Sequence, residues 1–221
     1  QDLGNLNVPI REALGEEQSL NFLPSVQSVC AAAYQAGVKA MRDKTIPIFL
    51  GGDHSLAIGS IGGVTHYEPA GVIWVDAHGD FNTIETSPSG NIHGMPLAVL
   101  LGQGAPELIN VGRQGPKILP NDVVLIGIRD LDAEERRRLK QSGIKVFTMR
   151  DIDEKGMNAV AKETLNHLQH RHRLHVSFDM DSLDPLEAPG VGTQSSGGLT
   201  YREAHYLMEV LADTTKVTSM D

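Results

Sequence analysis

One cysteine, Cys30, stands in 221 residues, so no disulfide can close within the chain, and the sequence fits a reducing compartment. No neighbour that would activate a thiol is apparent, and helix packing is the expected role of Cys30. Long apolar runs are missing too: nothing approaches the ~20 residues of a membrane-spanning helix. Gln1-Asp2-Leu3-Gly4 has neither the basic nor the apolar region of a secretory signal. Basic charge is scarce, with 19 Lys and Arg against 28 Asp and Glu and a formal net charge of −9. That balance argues against a general nucleic-acid binder, whose footprint is a basic stripe. The expectation is a cytoplasmic protein with no membrane and no nucleic acid among its partners. No linker, repeat or low-complexity tract divides the chain. It starts without Met and stops at Asp221 directly behind a strand-like stretch, as a segment of a longer polypeptide would.

What is present is an alternation. Apolar, β-rich runs occupy residues 46–50, 72–75, 123–128, 144–148, 174–178 and 217–220, and helix-compatible stretches fall at 20–43, 56–67, 95–101, 133–142, 157–170 and 201–212. Thr200 with Glu203 forms a capping-box signature for the last of these. Strands apolar at nearly every position suit a sheet covered on both faces, which predicts a three-layer α/β/α domain with a mainly parallel sheet.

Metal-ligand chemistry collects at three strand ends. Asp76-Ala-His78-Gly-Asp80 follows 72–75, Gly51-Gly52-Asp53-His54 follows 46–50, and Asp179-Met-Asp181 follows 174–178. Any one could be turn chemistry, because Asp and Gly are favoured after strands. All three lie where open α/β sheets bind ligands, beyond the carboxyl ends of the strands. Four converging carboxylates repel one another and need cations. Two divalent ions would balance His54, Asp76, His78, Asp80, Asp179 and Asp181, and oxygen-rich ligation without thiolate favours Mn²⁺, with zinc, cobalt and nickel as alternatives. His93 sits on the loop leaving one cluster and is the candidate proton shuttle.

Taken together, Gly-Gly-Asp-His54-Ser, Asp76-Ala-His78-Gly-Asp80, Ser89-Gly-Asn91-Ile-His93-Gly and Ser177-Phe-Asp179-Met-Asp181-Ser-Leu-Asp184-Pro resemble the ureohydrolase (arginase) family, most closely its bacterial arginases. The resemblance spans nearly the whole chain. It implies a single ureohydrolase domain over residues 1–221 with the arginase-like fold, incomplete at both ends. It also implies hydrolysis of the guanidinium of L-arginine to L-ornithine and urea by a hydroxide bridging two Mn²⁺ ions.

By the family pattern His54, Asp76, Asp80 and Asp181 hold one ion and His78, Asp76, Asp179 and Asp181 the other, with Asp76 and Asp181 bridging. Asp80 and His93 are the catalytic proton carriers. Asn82, Ser87, Ser89 and Asn91 correspond to positions that meet the α-carboxylate of arginine, Asp132 and Glu135 to those that meet its α-amino group, and Thr193 to a further substrate-side position. A glutamate gripping the guanidinium is expected three residues beyond the place of Asp221. The resemblance implies a homotrimer or homohexamer, with Tyr201-Arg202-Glu203 as a subunit contact. The alternatives are an agmatinase-like or other guanidino-substrate ureohydrolase, or a non-catalytic metal-binding relative.

Other signals have plainer explanations. Asp151-Ile-Asp-Glu-Lys155-Gly156 imitates a calcium loop but places lysines where oxygen ligands are required, so a turn is expected. His167, His170, His172 and His175 suit a solvated helix end before a strand. Gly59, Gly62 and Gly63 mark close helix packing.

Overall fold

A computed structural model describes residues 1–9 and 22–221. Its helices are α1 (Leu23–Arg42), α2 (Ala57–Val64), α3 (Pro96–Leu100), α4 (Pro106–Ile109), α5 (Ala133–Ser142), α6 (Met149–Lys155), α7 (Met157–His167) and α8 (Tyr201–Asp213). The strands are β1 (Gly71–Val75), β2 (Val123–Ile128), β3 (Lys145–Thr148), β4 (Leu174–Phe178) and β5 (Val217–Met220). They form one parallel sheet in the order β3-β2-β1-β4-β5. Every residue of β1 and β2 is buried, whereas β3 and β5 at the flanks are mostly half-buried.

Alternation along each strand assigns the two faces. Ile73, Val75, Val124 and Ile126 pack with α6, α7 and α8 through Ile152, Val160, Leu207 and Leu211. Val72, Trp74, Val123 and Leu125 pack on the opposite side with α2, α3 and α5 through Ile61, Leu97 and Leu139. The three-layer α/β/α expectation therefore holds. A third cluster, with Cys30, Tyr34, Ile58, Val99 and Leu108, seats α1 on the outside of α2 and α3.

The glycines of α2 set that approach. A Cβ on Gly59 would overlap the carbonyl of Cys30, and one on Gly63 the carbonyl of Tyr34. Cys30 itself is buried, donates to the Ser55 carbonyl at 3.2 Å, and has its thiol pushed up to about 12 by burial and by nearby Asp53. It is a packing residue.

Several expectations need correction. Residues 46–50 form no regular strand. They run beside β5 through one parallel bridge, Ile48 to Met220, and two backbone hydrogen bonds, Phe49 N to Met220 O and Met220 N to Pro47 O, each 3.0 Å. Pro47 has no N–H to give, and Ile46, Ile48 and Leu50 are 64%, 63% and 90% exposed, so neither pairing nor burial completes a strand.

The turn expected at 151–156 is helix α6, started by a Thr148/Asp151 capping box in which Asp151 occupies the place Glu usually takes. The short α4 was not foreseen, and the helices expected at 56–67 and 157–170 end earlier, at Val64 and His167. The start of the helix expected at 20–43 lies outside the described residues. The Thr200/Glu203 box is present. His175 is no part of a solvated helix end; it is buried on β4, because that strand runs between β1 and β5.

Gly63→Ala should destabilise the protein by about 1–3 kcal/mol, since the added methyl must push apart two helix backbones. Gly190→Ala, where a Cβ meets nothing within 4 Å, should leave the thermal unfolding midpoint unchanged. Equal midpoints for both variants would refute this account of the α1–α2 contact.

Candidate metal centre

The order in which strands are added to the sheet reverses at β1. From it the chain proceeds outward to β2 and β3, then returns to place β4 on its other side. β1 and β4 end level, with Val75 paired to Phe178 and the Asp179 amide bonded to the Val75 carbonyl at 2.9 Å. Asp76 and Asp179, the first residues beyond the two strands, are therefore neighbours at the crevice where α/β sheets take ligands.

His54 enters from the side. Asp53 caps the short 3-10 turn His54–Leu56 by accepting from the Ser55 amide at 3.0 Å. The imidazole stacks on Trp74 with centroids 4.1 Å apart. Its Nδ1 stands 2.9 Å from Asp76, 3.1 Å from Asp80 and 3.3 Å from Asp179. His78 Nδ1 lies 3.1 Å from Asp181 and 3.4 Å from Asp76. Two groups of potential metal ligands result, His54-Asp76-Asp80 and Asp76-His78-Asp181, with Asp76 common to both.

One part of the expected ligand division is not reproduced. Of the two imidazoles Asp181 meets only His78, in the group that includes Asp76, and it is Asp179 that reaches the His54 side. The reason is local: Asp179 follows β4 directly beside Asp76, while Asp181 is one step further round the 3-10 turn Met180–Ser182.

Backbone geometry fixes each ligand. Asp80 adopts a left-handed conformation with φ 47°, which Asp tolerates better than most residues. Its carbonyl accepts the Leu97 amide at 3.0 Å in the first turn of α3. The Asp181 turn is tied down by Arg129, whose guanidinium donates to the carbonyls of Asp181 at 2.8 Å, Ser182 at 3.0 Å and Ser195 at 2.7 Å. Asp76 accepts from the Trp74 indole at 2.9 Å and the His78 amide at 2.7 Å.

Burial opposes charge on His54, His78, Asp76, Asp80 and Asp181, and their mutual contacts decide the outcome. Burial would depress His54, but its bonds to Asp179, Asp76 and Asp80 hold it well above the ordinary imidazole value. Contacts with Asp181 and Asp76 raise His78 to about 11 against burial. Burial would raise Asp76, yet His54 and His78 keep it far below the carboxylate range. Asp80 and Asp181 go the other way, raised by burial and by the negative charge of Asp76 and Asp179. Added positive charge would favour the ionised forms of Asp80 and Asp181.

The remaining expected residues lie on the segments that follow β1, β2 and β4. His93 is half-buried on the 3-10 turn Ile92–Gly94, which packs against the His54–Leu56 turn. Asn82 is buried; its amide donates to Asp132 at 3.2 Å and accepts from Thr86 at 2.9 Å. Glu135 is buried, accepts the Phe81 amide at 2.9 Å, and is raised to about 7 chiefly by burial. Ser87 and Ser89 hold their own loop, accepting from the Gly90 and Asn91 amides at 2.9 and 3.2 Å. Asn91 is exposed, and Thr193 donates to Asp181 at 3.1 Å.

Sequence reasoning missed Trp74, Ser177, Arg129 and Asp221. Trp74 and Ser177 each precede a ligand by two positions on a strand, the spacing that puts side chains on one face.

The Arginase family model matches residues 1–221. An arginase of Bacillus subtilis (strain 168) is 50% identical over 222 residues, covering 100% of this chain and 75% of that protein. An arginase of Bacillus caldovelox is 49% identical over 228 residues with the same coverage. A crystal structure of arginase from Bacillus subtilis subsp. subtilis str. 168 superposes with a TM-score of 0.95 at 49% identity, covering 100% of this chain and 75% of that one. With ligand groups, sheet and family match in agreement over its length, the chain belongs to the Arginase family.

Proposed function

We propose that this protein hydrolyses the guanidinium of L-arginine to L-ornithine and urea at a pair of Mn²⁺ ions. The observation that carries the proposal is the convergence of two imidazoles and three carboxylates in two groups sharing Asp76, with a fourth carboxylate, Asp179, 3.3 Å from His54. The donor set fits divalent cations, because burial and the charge of Asp76 and Asp179 raise Asp80 and Asp181, and a bound cation would favour their ionised forms. Oxygen-rich ligation without thiolate favours Mn²⁺.

His54, Asp76, Asp80 and Asp179 would hold one ion, and His78, Asp76, Asp179 and Asp181 the other. Asp179 is the better second bridge, since it touches His54 and its charge raises both Asp80 and Asp181. Bound divalent ions supply a water activated near neutral pH and offset negative charge developing in the reaction. Asp80 holds the proton released there and passes it to the departing amine, and His93, half-buried beside the His54 turn, exchanges protons with solvent. Asn82, Ser87, Ser89 and Asn91 orient the α-carboxylate, Asp132 and Glu135 the α-amino end, and Thr193 braces Asp181 from the substrate side.

One sheet with both faces covered supports reading residues 1–221 as one ureohydrolase domain. No described helix is long and apolar enough to cross a membrane, in line with a cytoplasmic enzyme. The exposed Tyr201 and Arg202 at the start of α8 suit the subunit contact of a homotrimer or homohexamer.

Urea should be released from L-arginine in the presence of Mn²⁺ and not from agmatine; release from agmatine alone would defeat the arginine assignment. His93→Asn should slow turnover at least tenfold while both ions remain bound, and loss of metal would make His93 a ligand instead. Metal-free protein should melt at progressively lower temperature as pH rises from 7 to 11. The His78 contribution is fully present below 6.5 and disappears as pH passes through about 11. A chelated protein whose melting temperature is flat over that interval would contradict the assigned contacts of His78.

A further inference from the structure

Beneath the metal ligands lies a second polar cluster sealed in the core. His175, Ser177, Ser219 and Ser60 are fully buried, and the Asp221 side chain is 4% exposed. His175 and Ser177 alternate along β4 and so project to one side. Ser219 is the cross-strand partner of His175, and its hydroxyl lies 2.9 Å from His175 Nδ1.

Asp221 gathers three donors. Ser177 Oγ donates to its Oδ1 at 2.5 Å, and its Oδ2 meets His175 Nε2 at 2.9 Å and the Ser60 hydroxyl. Ser177 Oγ also lies 2.8 Å from His54 Nε2. A continuous line of hydrogen bonds therefore joins a metal-facing imidazole to a carboxylate on the neighbouring strand.

The direction of that line follows from counting protons. A carboxylate can only accept, so the single Ser177 proton is committed to Asp221. Ser177 Oγ is left as an acceptor, and His54 Nε2 must be the nitrogen that carries hydrogen. With hydrogen held on Nε2, His54 Nδ1, the atom facing Asp76, Asp80 and Asp179, is the nitrogen whose lone pair a bound ion would take in place of a proton.

We propose that Asp221 is a positioning residue which, through Ser177, fixes the tautomer and ring orientation of His54 as a metal ligand. The proposal rests on the metal-centre reading above, and the two can fail separately. His175 and Ser60 act one step further back, satisfying the second oxygen of Asp221 so that the first remains free to hold Ser177.

Asp221→Asn tests it with almost no change of shape. An amide has one accepting oxygen, which the pair of donors at the Oδ2 position claims. Its NH₂ then faces Ser177 and reverses that hydroxyl, which now donates to His54 Nε2 and drives hydrogen onto Nδ1. Equilibrium dialysis with Mn²⁺ on the full chain should show one of two ions bound 10–100-fold more weakly, the usual size of an effect exerted through a ligand's partner. The other ion should be unaffected, and so should the melting temperature in chelator.

Ser177→Ala interrupts the line without touching Asp221 and should weaken the same ion. The double variant should be no weaker than the worse single one, because both changes break one path. Wild-type affinity for both ions in either variant, or losses that add in the double variant, would overturn the proposal. A wild-type protein that binds fewer than two Mn²⁺ would instead overturn the metal-centre reading itself.

Discussion

Repulsion among buried carboxylates is the constraint around which this molecule is arranged. Asp76, Asp80 and Asp181 are almost wholly withdrawn from water, with Asp179 at their edge, and like charges at such distances cannot all persist without a counter-charge. Two imidazoles supply part of it and are themselves driven toward protonation. A core built for stability alone would not collect these groups, because uncompensated burial of charge is strongly unfavourable. The arrangement has the make-up of a candidate receptacle for cations.

The sheet supplies the positions. Adjacent β1 and β4 ending level puts two aspartates side by side, and the reversal of strand order at β1 opens the crevice they face. Everything brought in from elsewhere is tied to backbone. The His54 turn is capped by Asp53, the Asp181 turn is clamped by Arg129, and the loop after Asp80 is pinned to α5 through Glu135 and the Phe81 amide. The rigid part of the fold thus ends where the chemistry begins, and short, well-bonded turns carry ligands across the remaining distance.

The ligand types and their location were legible in the sequence because strand-end aspartates follow uninterrupted apolar runs. The division of ligands was less so. Asp179 and Asp181 are two residues apart and chemically identical, and only the paired register of β1 and β4 shows which of them adjoins Asp76. The buried line through Ser177, Asp221 and His175 was hidden for a related reason. Its members come from β4 and the residue after β5, and His175 carries the same letter as the histidines at 167, 170 and 172, at and just beyond the end of α7. Burial, not residue type, separates it from them. At 46–50 the apolar pattern was clear, but Pro47 has no N–H to give and the segment meets β5 through a single bridge, so the pairing a strand needs stays incomplete.

Asp80 shows how two unrelated demands can select one side chain. Its oxygens belong to the cluster, while its main chain turns left-handed so that its carbonyl can meet the opening turn of α3. A longer acid such as glutamate would retain charge but strain this bend by roughly 1–2 kcal/mol, and glycine would relax the bend but contribute no oxygen. Of the twenty amino acids, aspartate alone joins an anionic ligand to a backbone at ease in this corner, so the room for sequence drift here is set as much by conformation as by chemistry.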